Sequence, residues 1–460
     1  MSENILKTAQ KIHFIGIGGI GISAIARMLL LEGKNVSGSD RDDTKVTQEL
    51  AKAGAKIFIG ANKDNIPADI DLVIYTVAIP ADNAELIEAK NRGTVMLTYP
   101  ETLNIISKQK YTIAVSGTHG KTTVTAMVAK VMIDAGLDPT VIVGSLIGDT
   151  NFIMGKSKYL VVEADEYKKS FHNLEPSILV INNLDLDHLD FYKDLADIQD
   201  SFLHLAKKLP SDGFLICNTK LPNLQPIIAG VKPARLHSGG CQIVDYSQLE
   251  LKEKLLVPGE HNRQNAKTAL AVAKALGVDL KKAEKSLTQF TGTWRRFEYK
   301  GKTKSGALVY DDYAHNPQKV AAALQGAREM FPDKRIVVVF QPHLFSRTKL
   351  LLNEFARAFN DADEIILTPI FPAREAFDPT ISSEILAEKI RKKKIQPPNP
   401  LVRGESESPS LTRGGLGGVS SFSNFEQIEN YLKSSLGPSD LLLTMGAGEQ
   451  YKIGEALLTL

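Results

Sequence analysis

Cysteine is nearly missing from this chain. Its 460 residues hold two, Cys217 and Cys241, with no CxxC pair. That argues against a disulfide framework or a zinc site and suits a reducing compartment. A surplus of charge is missing too: 55 Lys and Arg against 53 Asp and Glu leave a net +2. Such balance does not call for a polyanionic partner, so no nucleic acid is expected. No stretch reaches about 18 consecutive apolar residues, and the opening "MSENILKTAQK" has no apolar core of signal-peptide length. The expectation is a soluble, cytoplasmic protein without membrane insertion.

What is there is an ordinary globular mixture, 43% hydrophobic and 23% charged, enough to build several cores. The length suggests two to four domains at about 100–200 residues each. Short apolar runs of strand type, "IHFIGI", "LVIYTV", "YTIAVSG", "YLVVEA", "ILVINN", "GFLICN", "ALVYDD", "RIVVVFQ" and "DEIILTP", recur along the chain. Between them Ile22–Glu32, Thr122–Ala135, Asp197–Leu209 and Gln264–Leu276 carry apolar residues at helical spacing. Strand–helix alternation predicts α/β domains with parallel sheets. Breaks near Pro100–Lys110 and Phe290–Lys302 divide the chain into 1–107, 108–293 and 294–460. One segment departs from the pattern. Arg391–Asn424 is rich in Pro, Gly, Ser and Arg and has little apolar periodicity. It reads as a disordered insertion over 393–423, since such a composition buries too little to offset ordering entropy.

Two glycine-rich turns carry the chemistry. In "IHFIGIGGIGIS", Gly16, Gly18 and Gly21 follow a strand and open a helix, and Asp40 follows the next strand. The pattern fits a dinucleotide fingerprint, yet any diphosphate can use such a turn at a helix N-terminus. In "YTIAVSGTHGKTT" the order is again strand, turn, helix. Amides of Gly117–Gly120 would cradle phosphates, Lys121 would neutralise them, and the Thr122 hydroxyl would reach Mg²⁺. Val115 stands where the longer GxxxxGK[ST] motif has its first glycine.

Downstream, "VVEADEY" sets Glu163, Asp165 and Glu166 at one strand end, and "INNLDLDHLD" sets Asn182, Asp185, Asp187, His188 and Asp190 at another. Strand ends of an α/β sheet are where ligands sit. Glu163 and His188 are therefore candidates to hold a metal beside the γ-phosphate. Asp165, Glu166 and Asp187 serve the same site or merely cap the following chain. In "GEHNRQNA", Asn262 reads as a helix cap or as a reader of a base edge.

These motifs together resemble the Mur ligases, the ATP-dependent amide-forming enzymes of bacterial peptidoglycan synthesis. "HFIGIGGIGIS", "GSD", "SGTHGKTT", "VEADE", "DLDHLD", "GEHNRQNA", "RRFE", "DDYAHNP", "FQPHLFSRT" and "MGAGEQYKIGE" stand in the family's order. They cover nearly all of the chain outside the insertion. Within the family the likeness is to the branch that adds L-alanine to UDP-N-acetylmuramate.

The resemblance implies a Rossmann-like first domain for the UDP-sugar, a central P-loop domain for ATP and Mg²⁺, and a Rossmann-like third domain for the amino acid. Gly16, Gly18, Gly19, Ile20, Gly21, Ser39 and Asp40 would meet the UDP-sugar. Gly117, Thr118, His119, Gly120, Lys121, Thr122, Thr123, His261, Asn262, Asn265, Arg296 and Asp312 would meet ATP. Thr122, Glu163 and His188 would hold metal, and Lys121, Glu163, His188, His343 and Arg347 would serve catalysis. Arg347 would take the alanine carboxylate, which a guanidinium matches bidentately. Arg295 and Arg296 would reach phosphates or tie the linker. Three positions depart from the family's pattern: Asn316 in "YAHNP", Leu344 in "HLFSRT" and Glu449 in "MGAGE". A monomer or homodimer is expected.

Two other readings stay open at this point. A ligase that joins a tripeptide to the same UDP-sugar shares the motifs, and an NAD-binding oxidoreductase shares the first glycine turn.

Overall fold

The computed structural model describes residues 4–147, 150–188, 191–231, 241–373, 375–395 and 418–458. Among them, three sheets form. The first joins β1 (Lys11–Ile15), β2 (Asn35–Asp40), β3 (Lys56–Ile59), β4 (Leu72–Tyr75) and β5 (Val95–Thr98) in the order β3-β2-β1-β4-β5. All its pairings are parallel.

The second contains β6 (Tyr111–Ser116), β7 (Thr140–Ile147), β8 (Thr150–Ile153), β9 (Tyr159–Glu163), β10 (Ile178–Ile181), β11 (Phe214–Cys217) and β12 (Gln242–Asp245). Its order is β12-β11-β10-β6-β9-β7-β8, and β8 is antiparallel to β7. The third contains β13 (Glu298–Lys302), β14 (Leu308–Asp312), β15 (Arg335–Gln341), β16 (Glu364–Leu367), β17 (Val419–Ser421) and β18 (Asp440–Gly446), ordered β13-β14-β18-β15-β16-β17.

Every apolar run named from the sequence is a strand, and the four helical stretches are helices, at Ile20–Leu31, Lys121–Asp134, Leu195–Ala206 and Glu260–Ala275. Central strands such as β10 are buried at every residue, as parallel strands covered by helices on both faces must be. The helix Tyr99–Lys108 starts where the sequence writes a start. Thr98 and Glu101 form a reciprocal capping box and Pro100 sits in the first turn.

The chain forms two compact units, one of residues 1–256 and 262–293, the other of 257–261 and 294–460. In the first, one core cluster runs from Leu6 to Cys241 through residues of both sheets, and a smaller one joins Ile15, Ile66, Val73, Leu86 and Ala89. In the second, apolar clusters cover both faces of the third sheet.

Strand order decides where ligands can bind. Chain order turns one way from β1 through β2 to β3, then the other way to β4, so a crevice opens at the carboxyl end of β1. The Gly16 turn lies there. The same argument places the Gly117 turn at the crevice after β6, between β9 and β10.

The insertion expected over 393–423 is too wide and needs correction at both ends. The helix Ser383–Ile395 continues into it, and β17 occupies Val419–Ser421. β17 pairs in parallel with β16, Val419 is buried, and Arg391 Nε donates to Val419 O at 2.9 Å. A three-residue edge strand in a Gly/Ser-rich stretch has no periodicity to read; an open edge on β16 makes it a strand. Residues 396–417 of that expected insertion lie outside the described residues.

Candidate active site

The first glycine turn is built by three different constraints. Gly16 has φ +80°, a left-handed conformation that glycine adopts without strain. A methyl at Gly18 would sit 2.9 Å from Asp40 Oδ2, and one at Gly21 would sit 2.7 Å from the Tyr99 hydroxyl. Asp40 Oδ2 accepts the Gly18 amide at 2.8 Å, while Ser39 O accepts those of Gly16 and Ile17 at 2.8 and 2.9 Å. Ser39 and Asp40 thus hold the turn itself.

Beneath them Glu85 is fully buried. It accepts from Ser39 Oγ at 2.6 Å and from Asn65 Nδ2 at 2.7 Å, and pairs with His13 Nε2 at 3.1 Å. The helix Ile20–Leu31 begins at Gly19 with no side-chain cap. Its first amides and positive dipole end are therefore available for a diphosphate. From β8, Asn151 Nδ2 holds Ile20 O and, at 2.8 Å, Ser23 Oγ.

The second turn follows β6. Gly117 and Gly120 have φ +129° and +82°, and Gly120 is the uncapped N-cap of the helix Lys121–Asp134. Asparagines brace this turn from below. Asn183 Oδ1 accepts the His119 amide at 2.7 Å, and Asn182 Nδ2 donates to His119 O at 3.1 Å and to Asn265 Oδ1 at 2.9 Å. Asn265 in turn donates to Asn262 Oδ1 at 3.3 Å. Asn262 and Asn265 are both buried, so in this structure their amides support the loop. Asn182, which the sequence sets at a strand end without a role, is thus a brace of the phosphate turn; its place after an apolar strand next to the loop strand is the signal for it. Thr118 closes the turn through Asp185, whose amide donates to Thr118 Oγ1 at 2.9 Å.

Around Lys121 the carboxylates gather as parallel pairing of β9, β6 and β10 requires, with Val115 opposite Glu163 and Ser116 opposite Ile181. Lys121 Nζ donates to both oxygens of Glu166 at 2.8 Å and to Gly117 O at 2.8 Å. Burial opposes its charge, but Glu166, Asp165 and Glu163 outweigh that and raise its pKa. Glu166 is 3% exposed. Burial would raise its pKa, yet His188 and Lys121 bring it down to about 2.

His188, at φ +54°, lies 3.6 Å from Glu166 Oε1. That contact raises its pKa against desolvation. Glu163 stands apart from this group: Thr122 Oγ1 donates to its Oε1 at 3.1 Å and the Gly144 amide to its Oε2 at 2.8 Å. Among the described residues, Asp187 Oδ1 accepts its neighbour's amide, that of His188, at 2.8 Å. Asp190 lies outside the described residues.

Two donor sets result. Asp165, Glu166 and His188 bring one ligand atom each within 4.8 Å of one another. Thr122 and Glu163 form the other. A hydroxyl and carboxylates beside a phosphate turn suit a hard cation such as Mg²⁺.

In the second unit, Arg295 is consumed internally. Its Nε meets Asp311 at 2.8 Å, and Nη1 and Nη2 donate to Gly448 O and Gly446 O at 2.9 and 2.8 Å. Its guanidinium also lies 4.7 Å from the Tyr451 ring centroid. Burial lifts Asp311 to about 6 even with Arg295 beside it. Arg296 instead lies over the Tyr313 ring at 5.1 Å and has no hydrogen-bond partner among the described residues. Asp312 accepts the Phe297 and Ala314 amides, each at 2.7 Å. His261, in the same unit, is held below its ordinary pKa by burial, against the charges of Asp312 and Glu329.

His315 Nδ1 donates to Tyr313 O at 2.8 Å, which leaves Nε2 as the lone-pair nitrogen. Burial holds its pKa well below 6.5. Its ring centroid is 6.1 Å from that of His343. His343 stacks on Phe371 and accepts from Arg347 Nη1 at 3.2 Å. Asn316 caps the helix Pro317–Met330 through the Lys319 amide at 2.9 Å, a job an imidazole would not do. Glu449 pairs at the surface with Lys452 at 2.7 Å, and Leu344 is the left-handed residue before the helix Phe345–Leu350, with φ +72°.

Three family models match the chain in this order: the Mur ligase family catalytic domain at 11–111, the Mur ligase middle domain at 115–273, and the Mur ligase glutamate ligase domain at 295–448. UDP-N-acetylmuramate–L-alanine ligase of Clostridium kluyveri is 41% identical over 482 residues, covering 100% of both chains. The chain belongs to the Mur ligase family. The Clostridium novyi protein of the same name is also 41% identical, covering 100% of this Mur ligase and 99% of its own length. The crystal structure of UDP-N-acetylmuramate-alanine ligase from Thermotoga maritima superposes with a TM-score of 0.77 at 27% identity, covering 98% of both chains. A murein peptide ligase from Psychrobacter arcticus, at 24% identity and TM-score 0.66 over 98% of both chains, shares the fold.

Proposed function

We propose that this Mur ligase joins L-alanine to UDP-N-acetylmuramate with ATP, through an acyl phosphate, in the making of peptidoglycan precursors. The observation that carries the reading is a triphosphate turn whose lysine stands among converging carboxylates, in a chain that matches alanine-adding ligases from end to end. Those full-length relatives also favour alanine over a tripeptide as the incoming group. An oxidoreductase would have no use for Lys121 and its cluster.

A carboxylate cannot be displaced by an amine as it stands, because its leaving group would be oxide. Phosphorylation removes that obstacle. A carboxylate oxygen of the sugar's lactyl arm attacks the γ-phosphorus, the bond to the β–γ bridging oxygen breaks, and ADP leaves. Lys121, kept charged by its neighbours, stabilises the charge that moves onto the bridging oxygen. Thr122, Glu163 and His188 are the proposed metal donors, and a magnesium ion bound there would offset repulsion between the two anions.

L-Alanine arrives as an ammonium and must lose a proton before its nitrogen attacks the acyl carbon. His315 is suited to accept it, because burial keeps the ring neutral and its Nδ1 is already occupied by Tyr313 O. Arg347 would take the alanine carboxylate and His343 would orient Arg347. Phosphate then leaves the tetrahedral carbon. Arg296 and Asp312 are proposed near the ATP phosphates and His261, Asn262 and Asn265 near the adenine. Residues 1–107, 108–293 and 294–460 are the proposed domains for UDP-sugar, ATP and amino acid.

No helix among the described residues is long and apolar enough to cross a membrane. A cytoplasmic monomer or homodimer is the proposed working form.

The test is phosphate release in the presence of ATP and Mg²⁺. It should require UDP-N-acetylmuramate and L-alanine together. Stronger release with a tripeptide in place of alanine would move the protein to the recycling branch, and release indifferent to the UDP-sugar would end the reading.

A further inference from the structure

We propose that Tyr99 is a further substrate-contacting residue of this ligase, its phenol donating a hydrogen bond to an anionic oxygen of the bound UDP-sugar. The inference rests on the functional reading above and assigns a residue that the motifs do not mark.

Tyr99 is the first residue of the helix Tyr99–Lys108, immediately after β5 of the first sheet. Its ring packs in part against the core of the first unit. The far end of the phenol lies against the α-carbon of Gly21: a methyl there would come within 2.7 Å of both Cζ and the hydroxyl oxygen. The third glycine of the fingerprint therefore makes room for this side chain. Tyr99 in this way brings its hydroxyl to the second residue of the helix Ile20–Leu31, beside the uncapped amides. Among the described residues that hydroxyl has no hydrogen-bond partner, although a buried or half-buried phenol normally finds one.

The triphosphate-site carboxylates also act on it electrostatically. Burial first, and then the charges of Glu163 and Asp165, raise the Tyr99 pKa. The group stays protonated at any working pH and offers a donor. A lone donor next to a positive helix end calls for an anionic oxygen. The UDP-sugar has two sources of one, its diphosphate and the lactyl carboxylate that is to be phosphorylated. Asn151, gripping Ile20 O and Ser23 Oγ from β8, keeps the helix end in register with the ATP-side strands, so the phenol meets a fixed target.

Tyr99→Phe separates this role from packing, since the ring stays and only the hydroxyl goes. Two measurements decide it: calorimetric titration with UDP, and steady-state phosphate release with UDP-N-acetylmuramate, ATP and L-alanine. A hydrogen bond to a charged oxygen corresponds to about a tenfold to hundredfold effect. The variant should melt with the wild type and lose that factor in one of the two assays. Weaker UDP binding assigns the diphosphate; unchanged UDP binding with a lower kcat/KM for UDP-N-acetylmuramate assigns the carboxylate. Wild-type values in both assays, or a loss that tracks a lower melting temperature, overturn the proposal. A wild-type protein that neither binds UDP nor needs the UDP-sugar would instead refute the functional reading.

Discussion

Replacing Glu166 by Gln removes the counter-charge of Lys121 while keeping its size. Glu166 is 3% exposed, and both its oxygens lie 2.8 Å from Lys121 Nζ. Its folded pKa falls from the ordinary 4.5 to about 2, which corresponds to about 3 kcal/mol at neutral pH. A buried pair broken from one side costs about 3–5 kcal/mol, because the remaining charge is left uncompensated. The two routes agree in size.

The sign follows from the lowered pKa. The carboxylate stabilises the fold above its unfolded pKa near 4.5, and that contribution fades as pH falls toward 2. Thermal melts of nucleotide-free protein at pH 7 should show Glu166→Gln lower by roughly 5 °C. The gap should narrow at pH 3. ATP and Mg²⁺ should recover more of the loss in the variant than they add to the wild type, since phosphates would give Lys121 new partners. A variant that melts with the wild type at pH 7 would refute the claim that this pair stabilises the nucleotide-free fold.

Lys121→Ala should lower phosphate release by at least about a thousandfold and leave UDP titration unchanged; substantial turnover would remove the basis for the ATP site. Gly21→Ala should cost about 1–3 kcal/mol through overpacking against Tyr99, and pairing it with Tyr99→Ala should recover part of that loss in denaturant melts; strict additivity would show the contact is slack. Arg295→Lys cannot reach Asp311 and two carbonyls at once. It should destabilise the second unit by about 1–3 kcal/mol through buried carbonyls left without a donor, whereas Arg296→Ala should leave the melt alone and raise the KM for ATP. Because burial depresses the pKa of His315, the neutral ring survives below pH 6.5, and kcat/KM for L-alanine should stay flat from about pH 8 to 6.5. A fall in activity that begins above pH 6.5 and vanishes in His315→Gln would contradict the neutral-base role.

Local pattern carried much of the fold. β10 could be read because "ILVI" is apolar throughout, and the helix Lys121–Asp134 because a glycine turn and apolar spacing announce it. β18 lies at the centre of the third sheet, yet its sequence does not declare a strand. Its "DLLLTMG" is followed directly by another glycine turn, and short apolar runs do not declare their type. β2, "NVSGSD", has too few apolar residues to signal a strand by composition; the order of the glycine fingerprint is what implies one there, and pairing with β1 forms it.

What the order of residues determined alone is the set of local devices: two strand–glycine–helix turns, acidic residues at strand ends, and capped helix starts. Each arises within a few residues of chain, where backbone geometry and hydrogen bonding are local. Tertiary structure decided the partnerships. Lys121 meets Glu166, 45 positions away. Arg295 closes on Gly446 and Gly448, more than 150 positions away, and Gly21 is empty for the sake of Tyr99. Asp40, adjacent to Ser39 in sequence, turns its carboxylate back to Gly18 because β1 and β2 lie side by side. Strand order across a sheet sets such meetings, and one-dimensional spacing contains no record of it.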